Sequence, residues 1–150
     1  MRVVIQRAKN AQVEISGEIH GKIQHGLVVL VGIENDDTSE DVDWLCRKIA
    51  NLRIFDDPSG TMNLSLTDIA GEALVISQFT LHASTKKGNR PSYIKSAKPE
   101  ISKPLYQKLI TTLNSYLVNP CQTGRFGADM QVSLTNDGPV TIVIDTKNKE

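Results

Sequence analysis

"GLVVLVGI", residues 26–33, is the longest apolar run in the chain. An unbroken series of Leu and Val ending at Gly32 is the signature of a strand buried on both faces. Such a strand belongs inside a layered structure, covered above and below its sheet. The run is far too short to span a bilayer. Its glycine opens no GxGxxG loop, so a dinucleotide-binding turn is a weak reading.

Working outward, "RVVIQRA" (2–8) and "AQVEIS" (11–16) alternate like a pair of strands, and Gly17 and Gly21 punctuate a third short segment at Ile19–Gln24. "TSEDVDWLCRKIANLRIF" (38–55) predicts a helix, with Thr38 or Ser39 as N-cap and Val42, Leu45, Ile49 and Leu52 on one apolar face. "DDPSG" (56–60) is a turn; a cation site there lacks acids at calcium-loop spacing. "EALVISQFTL" (72–81) reads as one strand. "PEISKPLYQKLITTLNSYLV" (99–118) reads as a second helix, with Pro104 expected to delay its regular part by a turn. "ADMQVSLT" and "VTIVIDT" read as two final strands. Between them "NDGPVT" (136–141) holds an Asn-Asp-Gly that would serve as a hairpin turn. The pattern is α/β: a partly barrel-like sheet covered on one side by two helices, in a single domain over 1–150.

Composition bounds the function. At 39% hydrophobic residues the chain can fill a core, and it opens with no signal-peptide pattern. Two cysteines without a metal or redox motif suit a reducing compartment, so a cytoplasmic protein with no membrane partner is expected. The formal net charge of zero argues against promiscuous nucleic-acid binding, DNA included. One segment is different: "KKGNRPSYIKSAK" (86–98) carries five cations, no acid and one aromatic. It reads either as a phosphate-holding patch or as a solvated loop.

Catalytic groups are scarce. His20 and His25 have no Cys or acid at ligand spacing, so neither a metal nor a cofactor is expected. Thr80 and His82 share a strand face in this reading. Two residues of rise, about 6.6 Å, exceed the ~3 Å reach of proton transfer. A nucleophile–base dyad is therefore rejected. Ser77 and Gln78, at the strand's end beside Phe79 and Thr80, carry polar groups that position a water or a carbonyl, or else merely meet solvent. The Gly138–Pro139 pair is equally odd, because proline at a strand entrance removes a ladder donor.

"SQFTL" (77–81) and "NDGPVT" become informative together with "MRVVIQR", "LRIFDD" (52–57), "KGNRPSY" (87–93) and "GRFGADM" (124–130). In that order they resemble the D-aminoacyl-tRNA deacylases, also called D-tyrosyl-tRNA deacylases. The resemblance implies a three-layer α/β/β fold, a cytoplasmic homodimer and hydrolysis of the ester joining a D-amino acid to tRNA. Glycyl esters mischarged on tRNA(Ala) would be cleaved too. It implies a pocket of Ser77, Gln78, Phe79 and Thr80, entered by Gly138 and Pro139 of the other subunit in a cis peptide, with Arg7 holding that loop. Catalysis would lean on the ribose 2′-hydroxyl, with Ser77, Gln78 and Thr80 positioning and Phe79, Gly138, Pro139 and Arg7 binding. A methyl on Gly138 is expected to obstruct substrate at little cost in stability. A non-catalytic RNA-binding module, a small-molecule esterase and an animal-type deacylase with a trans Gly-Pro are the alternatives.

Overall fold

The computed structural model describes residues 1–149. Strand β1 runs over Arg2–Ile15 and β2 over Glu18–Gly32. Ser16 and Gly17 join them with φ of 52° and 81°, the two positive values that a tight hairpin turn needs. Helix α1 (Ser39–Asn51), the short hairpin β3 (Phe55–Asp56) and β4 (Met62–Leu64), and β5 (Glu72–Ser77) follow. A 3-10 turn (Phe79–His82), helix α2 (Pro99–Asn114), β6 (Gln122–Thr123) and β7 (Gln131–Asp145) complete the chain.

The main sheet has the order β6-β5-β2-β1-β7. Strand β2 pairs antiparallel with β1 and parallel with β5, which places the apolar run in the middle of the sheet. Leu27, Val29 and Val31 face a core built with α1 and α2, whereas Val28 faces a second core on the opposite side. The run is covered on both faces, as its composition predicts.

Two expected boundaries dissolve. The segments 2–8 and 11–16 form one strand, and Ile19–Gln24 continues into the apolar run. Asn10, at φ 51°, bends β1 without breaking its pairing to β2. At Lys9–Asn10 and the facing Gln24–His25 two successive residues on each strand are exposed, so the alternation skips a step. Ala8 therefore shares a face with Ala11 and Val13, and both strands turn a corner. Their outer halves fold back so that Ala11, Val13 and Ile23 meet Val28, Leu74 and Ile76. Helices, central sheet and curled sheet ends make three layers.

Helix α1 starts as its sequence specifies. The Asp41 carboxylate accepts the Thr38 amide at 2.9 Å and lies 3.0 Å from Lys147 Nζ. Its buried residues include Val42, Leu45 and Ile49. Helix α2 begins at Pro99 and not a turn later, because Pro104 deprives only the exposed Glu100 carbonyl of a donor. It ends at Asn114, four residues short of the expected end at 118.

Partial burial raises the Asp41 pKa, but hydrogen bonds from Thr146, Lys147 and Thr38 outweigh it and hold the carboxyl well below the ordinary 3.8. A depressed carboxylate stabilises the fold above its unfolded pKa and stops doing so as pH falls through its folded pKa. Asp41→Asn should cost on the order of 1 kcal/mol at neutral pH. Urea unfolding of both proteins should show that gap constant above about pH 5 and narrowing steadily below about pH 4.

Candidate active site

The strand expected over 72–81 stops at Ser77, and Phe79–His82 turns into a 3-10 segment. The turn is tied down from three directions. Gln78 donates its backbone N–H to Val31 O at 2.7 Å. Arg2 Nη1 donates to Leu81 O at 2.8 Å, and Ser96 Oγ to Phe79 O at 2.8 Å. Gly32 makes the approach possible: a Cβ there would lie 2.9 Å from Leu81 Cβ and 3.1 Å from Gln78 O. The glycine that ends the apolar run thus lets the turn rest on β2.

Within the turn, Gln78 Nε2 lies 2.5 Å from Thr80 Oγ1 and donates to it. His82 is buried, its Nδ1 3.6 Å from Glu34 Oε2, and its Nε2 has no partner among the described residues. Thr80 and His82 do not share a strand face, but no hydrogen bond joins them either, so the absence of a dyad stands on different geometry. Burial pushes the thiols of Cys46 and Cys121 up to about 12, which leaves both protonated at neutral pH.

Ser77, Gln78 and Phe79 line a cleft of about 540 Å³. Tyr93 and Ser96 from the basic segment, Phe126 and Met130 from the strap leading into β7, and Val132 at the start of β7 line it too. Phe79 is 56% exposed and meets Tyr93 edge-on, with ring centroids 5.0 Å apart. Thr80, Arg7, Gly138 and Pro139 are outside this lining. "GRFGADM" carried part of the family resemblance, but nothing in the sequence assigned Phe126 or Met130 to the site, where tertiary structure brings them. Among the described residues no cluster of His, Cys, Asp or Glu is arranged to hold a metal.

The family model described as D-Tyr-tRNA(Tyr) deacylase matches residues 4–145. The D-aminoacyl-tRNA deacylase of Bacteroides fragilis is 64% identical over 150 residues, covering 100% of both chains. That of Flavobacterium psychrophilum is 62% identical with the same coverage. The chain belongs to the D-Tyr-tRNA(Tyr) deacylase family. Membership makes it a carboxylic ester hydrolase, and a tRNA substrate follows from the family. A solved structure described as "c-Myc DNA Unwinding Element Binding Protein" superposes with a TM-score of 0.92 at 38% identity, covering 97% of this chain and 98% of that one. A probable eukaryotic D-amino acid tRNA deacylase, 15% identical with a TM-score of 0.81 over 95% of this chain and 97% of that one, shares the fold.

The deacylase's second motif corrects the hairpin expectation. "NDGPVT" lies within one strand, β7, and both flanks pair with β1. Ala8 faces Asn136 and Gln6 faces Thr141, so residues 137–140 bulge opposite Arg7 alone. The Gly138–Pro139 peptide is cis. Asn136 Oδ1 closes the bulge by accepting the Val140 amide at 3.1 Å. The buried Arg7 holds it from beneath, donating Nε to Asp137 O at 3.1 Å and Nη1 to Ile54 O at 2.7 Å. Gly138 sits at φ 125°, and a Cβ there would lie 2.9 Å from Val140 Cγ2 and 3.1 Å from Arg7 Nη2. Alanine at 138 would therefore strain the protein's own bulge, contrary to the expectation that stability is spared.

Replacing Arg7 with methionine keeps an apolar stem but leaves the buried Ile54 carbonyl without its donor. Arg7→Met should destabilise by about 1–3 kcal/mol. Hydrogen exchange should also quicken at the Val140 amide beyond the global loss. Unchanged relative protection of Val140 would mean that Asn136 alone keeps the bulge closed.

Proposed function

We propose that the protein hydrolyses the ester of D-aminoacyl-tRNA in this cleft, as a cytoplasmic homodimer, with the substrate's own 2′-hydroxyl assisting. The observation that carries the mechanism is the Gln78–Thr80 hydrogen bond. A nucleophilic hydroxyl needs an acceptor for its proton. Here the neighbour of Thr80 Oγ1 is an amide donor, which occupies a lone pair and leaves the Thr80 O–H to donate elsewhere. Thr80 is thus suited to orienting an ester oxygen or a water and unsuited to attack. The leading amides of the 3-10 turn have no acceptor within the turn and supply further donors for a developing oxyanion. Water adds to the carbonyl carbon, the bond to the ribose 3′-oxygen breaks, and that oxygen takes a proton. The products are the free D-amino acid and tRNA. Ser77 and Gln78 position the ester and Phe79 supports it.

Chirality demands more than attraction, since both enantiomers offer the same groups. A wall set against the Cα hydrogen of one hand clashes with the side chain of the other. Within one chain the cleft lining lacks Gly138 and Pro139, although both are exposed. They lie on β7, an edge strand of 15 residues that also exposes Val143 to 63%. Long unpaired edges are commonly covered. We infer that two protomers associate here and that each lends its Gly138–Pro139 bulge to the other's cleft. Main chain forms such a wall, so it is indifferent to the substrate's side chain.

A steric filter admits anything smaller than what it accepts. Glycyl-tRNA, including glycine mischarged on tRNA(Ala), should be cleaved while L-alanyl-tRNA is spared, as measured by deacylation of matched substrates. Equal protection of both would sink the filter.

The nucleophile is tested separately. Thr80→Ala should retain activity within roughly 10²-fold of the parent, the scale of losing one oriented donor. A stable 3′-linked ester lacking the 2′-hydroxyl should resist cleavage. A covalent aminoacyl–Thr80 adduct in the mass spectrum would overturn this mechanism.

A further inference from the structure

A second groove, about 570 Å³, lies between α2 and the residues around β6. Lys103, Arg125 and His20 line it, with Gln107 and Thr111, and no Asp or Glu is among its lining residues. Phe126 belongs to both this groove and the cleft, so the two share a wall. His20 Nδ1 lies 2.9 Å from Thr123 O, which fixes its ring at the groove's edge.

Among the described residues, five of the chain's 17 Lys and Arg residues are ion-paired. Arg2 pairs with Asp145, Arg7 and Lys9 with Asp137, Lys108 with Asp43, and Lys147 with Asp41. Lys103 and Arg125 are exposed and have no such partner among the described residues. In a chain of zero formal net charge, attraction for a polyanion has to be local. An acid-free groove with two uncompensated cations, amide and hydroxyl donors, and an opening beside the cleft matches a phosphodiester chain leaving that cleft.

We propose that this groove holds backbone phosphates of the substrate RNA next to its 3′ end, with Lys103 and Arg125 as the phosphate contacts. The proposal rests on the cleft being the site of ester cleavage. The groove fixes the RNA's path and leaves recognition of the amino acid to the cleft. The rival path runs over the basic segment on the cleft's other side, through Lys86, Lys87 and Arg90.

The test compares K103A/R125A with K86A/K87A/R90A on two substrates: D-tyrosyl-tRNA, and D-tyrosyl-adenosine, which carries the same ester without phosphate. Binding of uncharged tRNA is followed in parallel. K103A/R125A should raise KM for the tRNA about tenfold near physiological salt with kcat little changed. It should weaken tRNA binding to match and cut the slope of log affinity against log salt by about 1.4, two single-strand phosphate contacts. Turnover of D-tyrosyl-adenosine should not move. An unchanged salt slope, an equal loss on both substrates, or the whole effect appearing in K86A/K87A/R90A would each overturn the proposal. Wild-type protein that binds tRNA through the groove yet cleaves neither ester would leave the groove standing and defeat the deacylase reading.

Discussion

Val28 and Val29 are adjacent in β2, point to opposite faces, and are both wholly buried. Every larger feature answers to that constraint. Burying a Val or Leu side chain is worth roughly 1.5–3 kcal/mol, so leaving one face of residues 27–31 wet would forfeit much of a typical 5–15 kcal/mol stability. The helices cover one face. Among the described residues no further helix remains for the other, and the sheet covers it with its own ends, by turning the β1–β2 corner at Asn10. The same folding creates a rim at the carboxyl end of β5, where the cleft opens.

The functional features are departures from regular structure that the framework pins in place. Strand β5 ends early, and its continuation is held by Arg2, Ser96 and the Val31 carbonyl. Strand β7 carries four residues opposite the single Arg7, and Arg7 and Asn136 hold them in place. In both places an arginine from β1 donates to a backbone carbonyl, so the strand that joins β2 to β7 also organises the two motifs. The chemistry left to the protein is orientation and polarisation, because neither thiol, imidazole nor carboxylate is joined to Thr80.

The sequence by itself determined the apolar strand, the existence of both helices, and the Val42, Leu45 and Ile49 face of the first. These depend on periodicity and local capping, which neighbours in sequence control. Two short motifs singled out Ser77, Gln78, Phe79, Thr80, Gly138 and Pro139, and the opening "MRVVIQR" singled out Arg7. What those motifs do in space was not. "NDGPVT" reads as a hairpin because Asn-Asp-Gly favours a turn. Tertiary structure decided instead for a bulge, since both flanks find their partner in β1 and the buried Arg7 guanidinium donates to the Asp137 carbonyl that the bulge frees while anchoring itself on Ile54 O. "SQFTL" reads as strand for the same local reason. The turn exists because Gly32, 45 residues before Ser77 in the chain, leaves room for it to settle on β2. Local preference is worth tenths of a kcal/mol per residue, about 0–1. Contacts between distant segments outweigh it wherever a buried donor or a missing side chain allows only one arrangement.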